Sequence, residues 1–232
     1  MILLNALQAV DQTASCQNMT DTSAVNTSAV LEADSLHFSY DGQVVFDHFS
    51  ARVTPGVTLL KGGSGRGKST LLRLLAGTLA ASKGHLSING ISLQRDAAAY
   101  RQQVLWTEPY TDAFDQLTAL DYFEFQRQKH GGFLQAPLAW IVNGLGLQPH
   151  LDKPLYRLST GSRRKVWLTA AFASEAVVTL LDEPFAALDR PSTDCVSSLL
   201  ENAATHKTRA WVLAHHEAPG NVQLAHTIDL GD

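Results

Sequence analysis

The stretch Gly62-Gly63-Ser64-Gly65-Arg66-Gly67-Lys68-Ser69 decides the fold predicted for this 232-residue sequence. It matches the pattern G-x-x-x-x-G-K-[ST] at every fixed position. It lies between an apolar strand predicted at Val57–Lys61 and a leucine-rich helix predicted at Gly67–Leu79. Glycines let backbone N–H groups approach an anion closely, and the N-terminus of the helix adds partial positive charge. The stretch therefore predicts a loop that binds phosphate.

Within this loop, Lys68 is expected to reach the β- and γ-phosphates of a nucleotide, and the hydroxyl of Ser69 is expected to ligate Mg²⁺. A chance match to the pattern occurs in roughly one chain in a hundred, and the surrounding strand and helix make chance a poor explanation. The candidate nucleotide-binding residues of this segment are Gly62, Gly63, Ser64, Gly65, Arg66, Gly67, Lys68, Ser69 and Thr70.

Strand and helix patterns alternate on both sides of the loop. Two strands around a turn at Asp41-Gly42 predict an N-terminal antiparallel subdomain, and a helical stretch at about 115–170 predicts an inserted subdomain. Alternating strands and helices indicate an α/β fold, here a P-loop NTPase with a mostly parallel core sheet. Strands are predicted at 36–40, 44–53, 57–61, 85–89, 104–107, 177–181, 211–214 and 227–230. Helices are predicted at 67–79 and 193–205, and another is predicted to begin near Ser162. Two or three further helices are predicted between 117 and 147.

The first 33 residues differ from the rest in composition. They are rich in Thr, Ser, Asn, Gln and Ala, and we expect a disordered tail over 1–33 followed by one domain over 34–232. A short helix over Ile2–Val10 is the alternative, and Met19 is an alternative start of the chain.

The charge distribution argues against nucleic acid as a partner. The net charge is −4, and the first basic residue is Arg52, which six acidic residues precede. The remainder carries 18 basic and 16 acidic residues, which is close to balance. Binding to nucleic acid independent of sequence needs a large basic surface, so this class is disfavoured. Two distant cysteines, no positively charged leader and no apolar run of membrane length predict a cytoplasmic protein.

A second series of motifs follows the loop. Its members are Leu158-Ser159-Thr160-Gly161-Ser162, then Val178-Thr179-Leu180-Leu181-Asp182-Glu183-Pro184, then Ala187-Leu188-Asp189, and finally His215 at a strand end. Together with the loop, this succession resembles the ATP-binding cassette (ABC) ATPases over essentially residues 34–231. A narrower resemblance, carried by 116–120, is to the haem-exporter ATPases of cytochrome c maturation.

The resemblance implies a role for each of three residues near the phosphate loop. Asp182 corresponds to the acid that holds Mg²⁺ through water, and Glu183 corresponds to the general base that orients the attacking water. His215 corresponds to the histidine that contacts the γ-phosphate. A packed histidine at the strand end is the alternative for His215, and the adjacent His216 is the alternative candidate for that contact.

The resemblance also implies contacts outside this central group. Ser159 and Gly161 match the signature motif that binds the γ-phosphate of the partner subunit's ATP, and Asp189 matches a loop at the dimer interface. Tyr40 stands where the family places an aromatic ring that stacks on adenine. Asp189 is alternatively an ordinary helix N-cap, and Tyr40 is alternatively an aromatic residue of a strand.

The chain departs from the family pattern at three positions. Thr160 replaces a glycine of the signature, Ser162 replaces its glutamine, and Glu108 stands where a glutamine normally ends a strand. Glu108 still offers an oxygen to Mg²⁺, but its charge is expected to weaken nucleotide binding when the metal is absent. The basic run Arg163–Lys165 is expected to form a solvated or interface face of a helix.

These features lead to a prediction of function. The resemblance implies an Mg-dependent ATPase subunit of an ABC transporter, with ATP and Mg²⁺ as cofactors and a separate membrane permease as partner. Such a subunit works as a pair, here expected to be a homodimer, on the inner face of the cell membrane. The alternative is a non-transport or regulatory ABC ATPase with weak hydrolysis.

Overall fold

The computed structural model describes residues 28–108, 111–132 and 135–231. Most of the expected disordered tail, the alternative helix over Ile2–Val10 and Met19 lie outside these residues. Two β-sheets and six α-helices make up the described part of the chain, which confirms the predicted α/β fold.

The strands divide into an antiparallel and a parallel sheet. The antiparallel sheet has the order β2-β1-β4-β5, and the parallel sheet has the order β6-β7-β8-β3-β9. The strands are β1 Leu31–Tyr40, β2 Gln43–Val53, β3 Gly56–Lys61, β4 Lys83–Ile88, β5 Ile91–Ser92, β6 Val104–Thr107, β7 Val178–Asp182, β8 Ala210–Ala214 and β9 Leu224–Asp229.

Four of the helices have an N-cap residue whose side chain bonds the first turn. Thr118 and Asp121 form a reciprocal capping box, while Asp96, Ser159 and Asp189 each accept a hydrogen bond from an amide in the first turn. The helices are α1 Lys68–Leu75, α2 Ala97–Gln103, α3 Ala119–Lys129, α4 Gln135–Gly144, α5 Thr160–Ala173 and α6 Arg190–Ala204.

The central strands of the parallel sheet, β3, β7 and β8, are buried on both faces. Val178 and Leu180 of β7 pack in the same apolar cluster as α1 and the antiparallel sheet, whereas Leu181 packs in the cluster that contains α3 to α6. Adjacent residues of a strand point to opposite faces, so one apolar strand contributes to both clusters. This explains why β7 and β8 are short, continuous apolar runs in the sequence.

The main differences from the predicted elements concern β1, α1, α2 and β5. β1 begins at Leu31, before the expected domain boundary at Asp34, because Leu31 and Ala33 are buried against the neighbouring strands. The helix predicted to Leu79 ends at Leu75. The short helix α2 and the two-residue strand β5 were not predicted, since α2 buries only Tyr100, whose hydroxyl donates to the carbonyl of Leu75 at 2.7 Å.

A glycine in β4 allows the antiparallel sheet to close against an irregular stretch of β1. The pairing of β1 with β4 shifts register between Asp34 and His37, and Gly84 lies opposite the shift with φ +97°. A Cβ at Gly84 would lie 2.6 Å from the carbonyl oxygens of both Asp34 and Ser35. Neither oxygen belongs to a flexible side chain, so a larger residue would displace the backbone of β1.

We therefore predict that Gly84→Ala lowers the free energy of unfolding by more than about 2 kcal/mol, since steric overlap adds to the strain of a positive φ. Gly90→Ala is the matched control. Gly90 also has a positive φ, of +79°, but a Cβ there would have no atom of a more distant residue within 4 Å. Its cost should be about 1–2 kcal/mol, from conformation alone. Urea denaturation of both variants measures the difference, and equal losses would contradict the close approach at Gly84.

Candidate functional site

Three neighbouring parallel strands bring the predicted site residues to one edge of the sheet. The phosphate-loop sequence follows β3, His215 follows β8, and Asp182 ends β7, with β8 paired to both other strands. Strands in a sheet lie about 4.8 Å apart, so the three carboxyl ends form one compact edge. The amide of His215 donates to the carbonyl of Leu60 at 3.2 Å, and the amide of Glu183 donates to that of Ala214 at 3.0 Å.

The loop after β3 has a conformation that requires glycine at its end. Gly67 has φ +88°, and a Cβ there would lie 2.9 Å from Cγ1 of Val45 and 3.0 Å from Cζ of Phe46. The β2 strand is thus packed directly against the loop. The Nζ of Lys68 turns back over the loop and donates to the carbonyls of Gly62 at 2.7 Å and Gly63 at 3.1 Å.

The loop also presents backbone donors without acceptors. Within the described part of the chain, the amides of Gly65, Gly67, Lys68 and Ser69 donate to no carbonyl or side-chain oxygen. Four such amides at the start of α1, beside a lysine ammonium, form a concentrated positive region. This arrangement suits a phosphate group.

The acid at the end of β7 is buried beside the loop. Asp182 is 7% exposed, and burial raises the pKa of its carboxyl group, with Glu183 adding to the effect. The neighbouring hydroxyl of Ser69 and the charges of Arg164 and Lys68 oppose this rise. A carboxylate and a hydroxyl are hard oxygen donors, which is the chemistry that Mg²⁺ prefers, so the residues fit this ion.

Glu183 and His215 are in direct contact. Nδ1 of His215 lies 2.8 Å from Oε2 of Glu183, and the side chain of His215 is only 13% exposed, against 40% for Glu183. The ring of Phe185 packs 5.4 Å from the ring of His215. His216 is 67% exposed and lies 3.5 Å from Glu217 through its Nε2. His215, and not His216, is therefore the histidine bonded to Glu183.

A buried arginine bonds the backbone of the same acidic pair. Arg164 of α5 is 6% exposed, and its Nη1 donates to the carbonyl oxygens of Asp182, at 3.2 Å, and of Glu183. Glu183 has φ +46°, a left-handed conformation that costs a non-glycine residue about 1–3 kcal/mol. Arg164 and the amide bond to Ala214 hold it there.

The expectation of a solvated or interface face for the run Arg163–Lys165 was wrong at its middle residue. Only Arg163 and Lys165 lie near the surface, and they pair with Asp115 at 2.9 Å and with Asp189 at 2.8 Å, whereas Arg164 is buried. Helical period does not separate Arg164 from its neighbours, because residues 166–173 are buried on every face of α5, and the bonds to Asp182 and Glu183 distinguish it only in the folded chain.

The signature residues begin α5 and lie against the loop before α6. Oγ of Ser159 accepts from the amide of Ser162 at 3.1 Å and donates to its hydroxyl at 3.0 Å. A Cβ on Gly161 would lie 2.5 Å from the carbonyl of Ala187, so this position requires glycine. Asp189 caps α6 by accepting from Ser192 at 2.9 Å, as an ordinary N-cap does, and the Lys165 ammonium holds its pKa well below the usual range.

Tyr40 and Glu108 both have exposed side chains. Tyr40 is 42% exposed and its ring packs edge-on against Phe38, with centroids 4.7 Å apart. Residues of β2 and of the phosphate loop line a cavity of about 320 Å³, and Tyr40 is not among the described residues that line it. Glu108 is exposed directly after β6, whose Thr107 pairs with Leu181, and it borders a cavity along that strand.

Comparisons with known proteins agree on one family. Residues 46–186 match the model of the ABC transporter family. The cytochrome c biogenesis ATP-binding export protein CcmA of Idiomarina loihiensis is 36% identical over 74% of this chain and 78% of its own length. The molybdenum import ATP-binding protein ModC of Rhodobacter capsulatus is 32% identical over 75% of this chain and 49% of its own length.

A comparison with solved structures shows a shared fold. A solved ATP-binding subunit of an ABC transporter superposes with a TM-score of 0.71 over 80% of this chain and 79% of its own, at 23% identity. Among the described residues, no helix combines the length and apolar character that crossing a membrane requires.

Proposed function

Because the chain belongs to the ABC transporter family of ATPases, we propose that it is an Mg-dependent ATP-hydrolysing subunit that drives a separate membrane permease. The observation that carries the proposal is the single sheet edge that holds the phosphate loop, Asp182, Glu183 and His215 together. Each of these groups has a defined place in phosphoryl transfer to water, which depends on positioning and electrostatics more than on covalent chemistry.

ATP binding is the first step, and the phosphate loop already presents free backbone donors and the Lys68 ammonium for it. The free amides of Gly65, Gly67, Lys68 and Ser69 would donate to phosphate oxygens, and Arg66 and Thr70 flank them. The Lys68 ammonium exchanges its two carbonyl acceptors for the β- and γ-phosphates. A charged acceptor makes a stronger hydrogen bond than a neutral carbonyl does, so this exchange favours the bound state.

Ser69 and Asp182 would hold Mg²⁺, and Glu108 would contribute an oxygen from the neighbouring strand end. When bound, the ion would offset the charge of the phosphates and polarise the γ-phosphoryl group. Burial of Asp182 supports this role, because a buried carboxylate of raised pKa gains more from a cation than an exposed one does.

Hydrolysis would depend on Glu183 and His215. Glu183 accepts a proton from the attacking water as general base, and its bond to His215 fixes the direction of the carboxylate. His215 also contacts the γ-phosphate. Arg164 acts as a positioning residue, because it bonds the backbone of Glu183 rather than the substrate.

A second cassette would complete each site. Ser159 and Gly161 begin α5 at the surface of the molecule, where the Ser159 hydroxyl and the helix amides can meet the γ-phosphate of ATP held by a partner chain. Asp189 lies on the same side through its ion pair with Lys165. The Ser159 hydroxyl and the helix amides remain available to phosphate, but Thr160 adds a side chain where the family has glycine, so closure is expected to be slower than in a chain with the consensus sequence. We propose a homodimer.

The partner and location follow from the family. A permease embedded in the membrane would place this subunit on the inner face of the cell membrane, in the cytoplasm. One relative is named for export and the other for import, so the direction of transport is left open. The regulatory alternative, an ABC ATPase with weak hydrolysis, is favoured only by Glu108 and the altered signature.

We predict that Glu183→Gln retains ATP binding and lowers the hydrolysis rate by roughly 10²–10⁴-fold, because the amide cannot accept a proton. The variant should also accumulate as a dimer with ATP and Mg²⁺, since the closed state is opened by hydrolysis. Phosphate release and size-exclusion chromatography measure the two effects.

Two controls make this test specific. Glu201→Gln, an exposed change in α6, should leave both measurements unchanged. Lys68→Ala should lose ATP binding itself, and therefore should not form the dimer. Hydrolysis by Glu183→Gln at the parent rate would remove Glu183 from the role of base.

We predict that Glu108→Gln raises the affinity for ATP by about fivefold at low Mg²⁺ and has little effect at saturating Mg²⁺. A fivefold change corresponds to about 1 kcal/mol, the interaction of unit charges ~4 Å apart in water. Asp112→Asn removes the same charge from an exposed position nearby and serves as the control. Equal gains at every Mg²⁺ concentration would place Glu108 outside the metal site.

We predict that Arg164→Met lowers kcat at least tenfold while KM for ATP changes less than twofold, because Glu183 loses its support but the phosphate loop does not. Arg163→Met, which removes the surface pair with Asp115, is the matched control and should retain kcat. Arg164→Lys should recover part of the activity. A parallel rise in KM, or equal effects of both methionine variants, would indicate a general loss of structure.

A further inference from the structure

The structure shows a second group of metal-binding side chains next to the proposed magnesium residues. Glu183, His215 and His216 each offer one ligand atom, and these three atoms lie within 4.8 Å of one another. The rings of His215 and His216 are 4.1 Å apart at their centroids. Within the described part of the chain, this is the one set of three or more His, Cys, Asp or Glu residues with this spacing.

The ligand chemistry of this set differs from that of Ser69 and Asp182. Two imidazoles and a carboxylate suit zinc and other transition-metal ions, whereas oxygen atoms alone suit Mg²⁺. Three protein ligands with a position left for water or another group is a common arrangement for zinc. Ligand atoms around a tetrahedral zinc ion with bonds of about 2.0–2.1 Å lie roughly 3.4 Å apart, so small rotations of the side chains suffice.

The fold fixes two of the three ligands in advance. The backbones of Glu183 and His215 are held to the strand ends by amide bonds of 3.0 and 3.2 Å to Ala214 and Leu60. The side chains already meet at 2.8 Å. His216 is 67% exposed and gives an ion access from solvent, and its ligand atom already lies within 4.8 Å of those of the other two residues.

We propose that Glu183, His215 and His216 form a site for a transition-metal ion of the Zn²⁺ class, and that the bound ion inhibits ATP hydrolysis. Inhibition rests on the function proposed above, because the ion engages the Glu183 carboxylate and the His215 imidazole that hydrolysis requires. Binding itself does not depend on that function. His216 is the ligand specific to this site, since no step of hydrolysis uses it.

The first arm of the test measures metal binding without nucleotide. Tag-free protein is titrated with Zn²⁺ by calorimetry and with Co²⁺ by visible absorption, whose intensity reports a tetrahedral nitrogen and oxygen site. One equivalent should bind, and His216→Asn should weaken binding at least tenfold. His226→Asn, an exposed change in β9, is the matched control and should bind as the parent does. Binding to His216→Asn with the parent's affinity overturns the site.

The second arm measures hydrolysis at saturating Mg-ATP with free Zn²⁺ set by a metal buffer, because ATP itself binds zinc. Zn²⁺ should inhibit the parent and the His226→Asn variant, and His216→Asn should need at least tenfold more Zn²⁺ for the same inhibition. Without Zn²⁺, His216→Asn should keep a kcat within about twofold of the parent. Equal inhibition of parent and His216→Asn overturns the proposed inhibition. If the parent protein binds Co²⁺ through His216 but hydrolyses no ATP, the proposed function is contradicted and the proposed metal site is not.

Discussion

Parallel pairing of β3, β8 and β7 is the constraint on which the rest of the structure depends. Each strand ends in a different chemical group, and the ladder brings the three ends to one edge. Two amide bonds beyond the strands, from His215 to Leu60 and from Glu183 to Ala214, extend the ladder into the site itself. A shift of one residue in either pairing would turn the buried residues of β7 and β8 toward the wrong apolar cluster, so packing of the core also fixes the register of the site.

Helix α5 connects this edge to the surface where a second cassette is proposed to bind. Ser159 caps its N-terminus, and Arg164, just over one turn later, bonds the backbone carbonyls of Asp182 and Glu183. Lys165 adds a second connection through its ion pair with Asp189. The same helix therefore carries both the proposed contact for a partner's nucleotide and the arginine that supports the proposed base.

Asp182 and Glu183, at the end of β7, have neighbours of different ligand chemistry. Asp182 faces the Ser69 hydroxyl in a buried position, and Glu183 faces the imidazole of His215 nearer to solvent. Adjacent residues at a strand end diverge, so one carboxylate lies among oxygen donors and the other among nitrogen donors. The positive φ of Glu183 is stabilised by Arg164. The proposed magnesium site and the proposed transition-metal site would therefore each take one carboxylate of a single dipeptide.

The local elements of the fold were predictable because their signals are contiguous. The phosphate loop, β6 at Val104–Thr107, the start of α5 and the strands around β3 and β7 each depend on a short run of residues whose period or glycine content is visible in the chain. Helix α2 and strand β5 were missed because they are short and bury few side chains. Burial of Arg164, the contact of His215 in preference to His216, and the exposed position of Tyr40 required the folded chain. Each results from atoms that lie far apart in sequence, and a linear pattern does not specify which backbone carbonyl or carboxylate a side chain will reach.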